Sequence, residues 1–181
     1  MKATGIVRRI DDLGRVVIPK EIRRTMRIRE GDPLEIYTDR EGEVIFKKYS
    51  PIGELSTFAA QYADTLHKIC ELNVVICDRD GVIACAGVPK KEYMDRSVTE
   101  EMENIIEGRS FYQYKQNDAP ICVTHSGSHF VHCAMPIITE GDIIGCVCSV
   151  SKSENQPEVP SDSEIKLIQT ASNFLSRQLE S

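Results

Sequence analysis

Residues 8–23 of this chain read Arg8-Arg9-Ile10-Asp11-Asp12-Leu13-Gly14-Arg15-Val16-Val17-Ile18-Pro19-Lys20-Glu21-Ile22-Arg23. The polar cluster at 11–14 predicts a turn, and it lies between two strand-like runs at 4–10 and 15–18. Pro19 suits the first turn of a helix. Ile22 and Met26 are then four residues apart, which predicts a short helix over 20–27 with one apolar face. The stretch therefore predicts strand, turn, strand and helix.

The segment that contains this stretch is too small to be stable alone. Residues 34–38 and 43–48 alternate around a polar loop at 39–42, which predicts a hairpin. Fifty residues with four short strands bury too little apolar surface for a stable monomer. We therefore expect residues 1–50 to form a dimer, with strands of the two chains interleaved so that each completes the core of the other.

The charge is distributed unevenly between this segment and the rest of the chain. Residues 1–50 carry 12 Lys and Arg against 9 Asp and Glu, a net charge of +3, whereas residues 51–181 carry 10 against 19, a net charge of -9. A basic segment joined to an acidic body suggests that one end of the protein meets a polyanion. Charge alone is weak support, because a solvated basic face has the same composition.

The run at 14–23, Gly-Arg-Val-Val-Ile-Pro-Lys-Glu-Ile-Arg, is long and uncommon, and with the preceding residues it closely resembles the swapped-hairpin DNA-binding domain of the AbrB family. The resemblance implies a swapped-hairpin β-barrel dimer that binds double-stranded promoter DNA. It assigns the family's DNA-contacting arginines to Arg8, Arg15, Arg23 and Arg24. A secondary set is Arg9, Lys20, Arg27 and Lys2. We expect these residues to contact phosphates or to make no DNA contact, but not to read bases.

The chemistry of these arginines agrees with that implication. A guanidinium is a planar, permanently charged fork that can bridge phosphates or pair with guanine O6 and N7 in the major groove. The alternative is that the arginines are solvated surface charges, with Glu21 near Arg23 and Glu30 near Arg27 for ordinary ion pairs. A helix of about two turns is too short for helix-turn-helix readout, so we expect recognition of DNA shape and sequence-tolerant operators.

A helix and a second domain follow. Ser50-Pro51 has the serine cap and early proline of a helix start. Apolar residues then recur at helical spacing to about residue 71, namely Leu55, Phe58, Ala59, Tyr62, Leu66 and Ile69. This pattern fits a helix packed on its twin and equally one packed on the following sheet. We expect three parts: a DNA-binding domain at 1–50, a linker helix at 51–71 and a regulatory domain at 72–181.

Residues 72–181 have the pattern of alternating strands and helices. Strands are predicted at 73–77 and 82–87, and hairpins at 121–136 and 136–150. Capping boxes at 97–100 and 161–164 predict two helices, the first ending at Gly108. The order predicts an α+β fold, a sandwich around an antiparallel sheet.

This element order, with the Asp78-Arg79-Asp80-Gly81 and Pro-Ile-x-x-x-Gly-Asp-x-Ile-Gly patterns, resembles a GAF-like domain. Over its full length the chain looks like the sporulation regulators in which an AbrB-like domain precedes such a domain. That resemblance implies a tetramer assembled through the C-terminal domain and control of genes in the developing spore by activation and repression. An unidentified small-molecule effector is a further expectation.

Other chemistry receives less support from the sequence. His125, His129, His132 and Cys133 lie close together but are expected on opposite faces of a strand, so we expect no metal site, no catalytic residue and no cofactor. The seven cysteines are odd in number and form no C-x-x-C pair, which indicates free thiols. Cys85, Cys122 and Cys146 leave open a redox enzyme that reduces free methionine sulfoxide.

We expect a cytoplasmic, nucleoid-associated protein, because no apolar signal segment and no membrane-length apolar run is visible. The resemblance narrows this location to the forespore. The second alternative to a transcription regulator is an antitoxin, in which the same DNA-binding fold carries a short disordered or acidic tail. The patterned second half argues against such a tail.

Overall fold

The computed structural model describes residues 4–152 and 157–180, and the chain divides between Tyr49 and Ser50 into two compact units. The first unit contains helix α1 (Lys20–Thr25) and strands β1 (Leu34–Thr38) and β2 (Val44–Lys48). β1 and β2 form an antiparallel hairpin in which Ile36 lies opposite Phe46. The Asp39 carboxylate closes its loop by accepting hydrogen bonds from the backbone amides of Glu41 and Glu43. The predicted hairpin is present.

Helix α1 begins after Pro19, as predicted, and ends two residues earlier than expected. Arg27 takes the left-handed conformation, with φ of 51°, directly after the helix. The amide of Ile28 then donates to the carbonyl of Arg23 at 2.7 Å, and the Arg27 amide donates to the carbonyl of Arg24 at 3.3 Å. This pair of bonds is a Schellman motif, which satisfies the last carbonyls of the helix and stops it.

Residues 4–18 differ from the sequence-based expectation. Both predicted strands there are irregular segments without strand pairing inside the chain. A strand exists only where a neighbouring strand supplies its hydrogen bonds, and the hairpin β1–β2 does not reach these residues. Their apolar side chains stay exposed, by 85% at Val7 and 70% at Val17.

The second unit is built on one five-stranded antiparallel sheet. In sequence order its strands are β3 (Asn73–Asp78), β4 (Val82–Ala86), β5 (Tyr112–Gln113), β6 (Val131–Thr139) and β7 (Asp142–Val150). The spatial order is β4-β3-β7-β6-β5. Five helices accompany the sheet: α2 (Pro51–Glu54), α3 (Ser56–Cys70), α4 (Lys90–Tyr93), α5 (Glu100–Glu107) and α6 (Asp162–Leu179). The α+β class is confirmed.

Both faces of the sheet are covered. Val74 and Ile76 of β3 belong to a core shared with α2, α3 and α6, whereas Val75 and Cys77 belong to a second core shared with α5. All four of these side chains have no exposed surface. A strand buried on both sides has a continuous apolar run rather than an alternating one, which explains the Val-Val-Ile-Cys pattern.

The helix after Pro51 packs on the sheet of its own chain. Ala59, Ala63 and Leu66 are buried in the core that α3 shares with β3 and β4, so this helix lies on the sheet of its own chain. A break at Leu55 separates it from α2, and Ser50 caps α2 as predicted by accepting from the Gly53 amide. Ile69, placed in the apolar stripe from the sequence, is 77% exposed.

One of the two predicted capping boxes is misplaced. Thr99, not Ser97, caps α5, because its hydroxyl oxygen accepts from the Met102 amide at 3.2 Å. Ser97 instead forms a β-bridge with Gly81. Ser161 caps α6 as predicted, accepting from the Glu164 amide at 3.2 Å. The Thr99 hydroxyl also donates to the carbonyl of Cys122, 23 residues away. Which residue caps the helix therefore depends on long-range contacts as well as on the local sequence.

The strands between α5 and α6 agree only in part with the prediction. The hairpin of β6 and β7 turns at Glu140-Gly141, close to its predicted position. The predicted hairpin at 121–136 is wrong: β6 starts at Val131, and only single bridges such as Cys122 to Phe130 precede it. The two-residue strand β5 pairs with β6 and is not predicted, since two residues carry no periodicity. Within the described part of the chain, no helix has the length and apolar character needed to cross a membrane.

The core between the sheet and α6 should dominate the stability of the second unit. Ile168 is fully buried there. We expect Ile168→Ala to lower the free energy of unfolding by about 2–5 kcal/mol, because it removes buried methyl groups and leaves a cavity. Ile69→Ala, the same change at an exposed site, should shift stability by under about 0.5 kcal/mol. Urea denaturation of both variants checks this, and equal shifts would contradict the assignment of the core.

Candidate nucleic-acid interface

The predicted arginines are all exposed in the first unit. Arg23 and Arg24 occupy the last turn of α1, Arg15 follows the loop at 11–14, and Arg8 lies in the segment before that loop. The ion pair between Arg23 and Glu21, which belongs to the alternative of solvated surface charges, does not form. Within residues 4–152 and 157–180, the guanidinium groups of Arg23 and Arg24 contact no carboxylate. Their charge is therefore available to an outside anion.

The secondary set of basic residues is exposed where the structure describes it. Arg9, Lys20 and Arg27 are exposed. Lys2 lies outside the described residues. Arg8 makes a contact of 3.4 Å from Nη1 to the carbonyl of Val7, a local bond that does not bury its charge.

Helix α1 is fixed to the hairpin behind it. Lys48 of β2 donates from Nζ to the carbonyl of Arg27 at 2.8 Å and lies 3.6 Å from the carboxylate of Asp32. Asp32 in turn accepts from the Arg29 amide at 2.8 Å. These bonds hold the end of α1, and with it Arg23 and Arg24, at a set place on the hairpin.

Arg15 is held by a loop that Asp11 organises. Asp11 Oδ1 accepts from the amide of Leu13 at 3.0 Å and from the amide of Arg15 at 2.7 Å. Its other oxygen, Oδ2, accepts from Nε of Arg15 at 2.8 Å. Gly14 supplies a left-handed turn with φ of 77°, a conformation that a side chain disfavours. One carboxylate thus shapes the loop and grips the arginine.

The contact with Arg15 changes the pKa of Asp11. Hydrogen bonds from the Arg15 amide, and then from its guanidinium, hold the pKa of the Asp11 carboxyl below its usual value. The hydrogen bonds therefore favour the charged form of this group. The Arg15 side chain is still 69% exposed. Sequence reasoning passed over Asp11, although the Asp-x-x-Gly-Arg pattern marks an aspartate able to bond its own loop.

The histidines do not converge on a common point. β6 has an irregularity between Val131 and Cys133, so His132 and Cys133 both lie toward α6 instead of on opposite faces. His132 contacts Glu164 at 3.2 Å through Nδ1 and accepts from the Glu158 amide through Nε2. His129 packs against Tyr93, with ring centroids 6.3 Å apart. Among the described residues, no group of three His, Cys, Asp or Glu side chains could hold a metal ion.

The Asp78-Arg79-Asp80-Gly81 segment is a turn, as the sequence indicates. Asp78 Oδ1 accepts from the amides of Asp80 and Gly81, both at 2.8 Å. This carboxylate oxygen is used by its own backbone.

The three thiols of the redox alternative are poorly suited to nucleophilic chemistry. Burial raises the pKa of Cys85, Cys122 and Cys146 above the ordinary thiol value, most strongly for Cys146. Cys146 has no exposed surface in the middle of the sheet. A reactive cysteine needs the opposite, a lowered pKa and an open approach.

The raised pKa of Cys122 predicts slow alkylation. A thiol whose pKa is raised stays neutral until higher pH, so less thiolate is present near neutrality. At a pH of about 8, iodoacetamide should modify Cys122 more slowly than free cysteine, with a rate that is still rising where free cysteine has levelled off. Mass spectrometry of the alkylated chain measures this. Fast modification that does not change with pH above neutrality would reveal a thiolate and restore the redox alternative.

Known proteins are similar to both parts of this chain. The family profile "Stage V sporulation protein T C-terminal, transcription factor" matches residues 54–180, and "Antidote-toxin recognition MazE, bacterial antitoxin" matches residues 7–53. The chain is 52% identical to stage V sporulation protein T of Bacillus subtilis over 99% of both chains. It is 65% identical to the transition state regulatory protein AbrB of that organism over 28% of this chain and 52% of the relative.

A solved structure supports the fold of the second unit. The crystal structure of a methyl-accepting chemotaxis protein fragment, 16% identical, matches 71% of this chain and 90% of its own with a TM-score of 0.50. At that identity the likeness is one of fold alone.

The two units together define a transcription regulator with an AbrB-like N-terminal domain and a C-terminal domain of the stage V sporulation protein T type. The match covers the whole length and both parts in the same order. The chain belongs to the stage V sporulation protein T family of transcription factors.

Proposed function

We propose that this protein regulates sporulation genes by binding promoter DNA through Arg8, Arg15, Arg23 and Arg24 of paired chains. The observation that carries the proposal is the exposure of these four side chains and the availability of their charge. All four are exposed, and Arg23 and Arg24 have no carboxylate partner in the described chain. Such forks can bridge phosphates or read guanine edges. Arg9, Lys20 and Arg27 contribute phosphate contacts that set register and salt dependence.

Recognition leans on the shape of DNA more than on a strict base code. Helix α1 has only six residues, too few to follow the major groove as a recognition helix does. Fixed arginines on a short helix and a loop respond to groove width and deformability. We therefore expect the protein to bind operators of varied sequence. Such a regulator can activate transcription at one promoter and repress it at another.

The first unit acts as a dimer. Thirteen of the sixteen large apolar side chains exposed in the described chain lie between Ile6 and Tyr49, in about a quarter of the chain. Val7, Ile10, Leu13 and Val17 are each 69% exposed or more. Exposed apolar surface on this scale marks an interaction surface. A second copy covers it and doubles the arginines from four to eight.

The second unit joins two such dimers into a tetramer. Tyr62 of α3 stacks on Phe174 of α6 with ring centroids 5.4 Å apart, and Phe58 of α3 packs against Phe174 at 5.8 Å. Phe174 is 39% exposed. This aromatic cluster is a surface that another copy can cover. Linking two DNA-binding dimers raises the effective concentration of the second after the first has bound.

A small-molecule effector would change transcription by favouring one arrangement of the DNA-binding domains over another. It would act through the second unit, which has the GAF-like fold. The protein acts in the cytoplasm at the nucleoid, and by its family in the forespore.

The two alternative functions have less support. A MazE-type antitoxin profile matches only residues 7–53, and the remaining chain forms a folded sandwich instead of a short tail. A methionine sulfoxide reductase needs reactive thiols, whereas burial raises the pKa of Cys85, Cys122 and Cys146.

Removing single arginines tests the interface. Arg15→Ala or Arg23→Ala should weaken binding to a promoter duplex by about 1–3 kcal/mol for each arginine–DNA interaction removed, while the fold is retained. Arg40→Ala, the same substitution in the loop between β1 and β2, serves as the control. Fluorescence anisotropy across a salt titration gives affinity and salt dependence. Affinities of Arg15→Ala and Arg23→Ala equal to that of Arg40→Ala would disprove the assignment.

A charge placed on the exposed apolar surface tests the dimer. Val17→Asp should break the association of the first units, because the carboxylate would be buried without a partner. Sedimentation velocity should show a smaller assembly, and DNA affinity should fall with it. Val159→Asp, at an exposed valine of the second unit, is the control. An assembly of unchanged size in Val17→Asp would argue against this interface.

A further inference from the structure

We infer that Asp11 is a positioning residue that determines specificity, by fixing which edge of the Arg15 guanidinium faces the DNA. The inference rests on the proposed role of Arg15. Asp11 Oδ2 accepts from Nε of Arg15 at 2.8 Å, and the side chain of Arg15 remains 69% exposed. Within the described residues, neither terminal nitrogen of Arg15 has another acceptor.

An arginine can present two different pairs of donors. One is the end-on pair, Nη1 and Nη2, and the other is the side-on pair, Nε with one terminal nitrogen. Asp11 occupies Nε, so only the end-on pair is left for guanine or phosphate. The side chain is also restrained, because Asp11 grips the backbone amide of Arg15 at 2.7 Å as well as its guanidinium. An arginine fixed at both ends loses less rotamer freedom when it binds.

The carboxylate also offsets the charge of the arginine. A negative group 2.8 Å from Nε reduces the attraction of Arg15 for any phosphate, whatever the sequence around it. Binding by charge alone is therefore weakened, while an oriented pair of donors is preserved. The combined effect favours DNA that offers acceptors at the right place over DNA that offers only phosphates.

The chain offers a matched control at the next position. Asp12 is exposed, carries the same charge and makes no side-chain hydrogen bond or ion pair in the described chain. Asp12→Asn removes one negative charge and nothing else. Asp11→Asn removes the same charge and keeps an oxygen for the amides of Leu13 and Arg15, but its NH2 group cannot accept from Nε. The two variants therefore differ in whether Nε of Arg15 keeps its carboxylate acceptor.

The experiment compares the full-length wild type, Asp11→Asn, Asp12→Asn, Arg15→Ala and the double variant Asp11→Asn with Arg15→Ala. Each is titrated with a duplex selected from random-sequence DNA by the wild type, and with a shuffled duplex of the same length and composition. The quantity measured is the ratio of the two affinities at one salt concentration. Asp11→Ser, which keeps a turn-forming oxygen without charge, is a second variant should Asp11→Asn fail to fold.

We expect both single asparagine variants to bind the shuffled duplex somewhat more tightly than the wild type, because each removes a negative charge. Only Asp11→Asn should lower the affinity ratio, by about tenfold, which is the discrimination that one well-placed base contact provides. In the Arg15→Ala background, Asp11→Asn should leave the ratio unchanged. A residue that only shaped the loop would weaken binding to both duplexes alike.

Three results would overturn the inference. An affinity ratio in Asp11→Asn equal to that in Asp12→Asn would show that the grip on Arg15 does not matter. A fall in the ratio that persists without Arg15 would show that Asp11 acts by another route. A wild-type ratio in Arg15→Ala would remove the proposed role of Arg15 and the inference with it. The first two results leave the proposed function standing.

Discussion

The missing core of the first unit is the constraint on which the rest of this protein depends. Among residues 4–49, Pro19 is the only one that is buried, and large apolar side chains such as Val7 and Val17 lie open to solvent. A segment of this size gains too little from burial to offset the entropy of ordering its backbone. The proposed association with a second copy would remove that surface from water. Since the same association would duplicate the arginines, one contact would serve both stability and DNA binding.

The arginines in turn depend on short-range polar contacts. Lys48 ties the end of α1 to the hairpin, and Asp11 ties Arg15 to its loop. The Asp11–Arg15 pair is exposed at its arginine and contributes little to stability, whereas Lys48 pairs with an Asp32 carboxylate whose side chain is only 4% exposed. Their effect is geometric, because they set where the guanidinium groups lie. In the proposed DNA complex, a donor that is already oriented would lose less entropy on binding.

The second unit has the opposite character. Its sheet is covered on both faces, and side chains such as Ile76, Met102 and Ile168 are fully buried within one chain. It can therefore fold without help and serve as a body to which the first unit is attached. Its acidic charge also keeps it from competing for DNA, since like charges repel.

Features that depend on neighbouring residues could be predicted from the amino-acid sequence. Turn residues and periodicity predict the β1–β2 hairpin and the serine caps of α2 and α6. The motif at 8–24 identifies the arginine-bearing run. The tertiary structure alone decided the packing of α3 on the sheet, the cap at Thr99, the irregular pairing that turns His132 toward α6, and the grip of Asp11 on Arg15. Local patterns specify local backbone. Which strand pairs with which, and which oxygen meets which donor, depends on groups brought together only when the chain has folded, and those contacts leave no periodic trace.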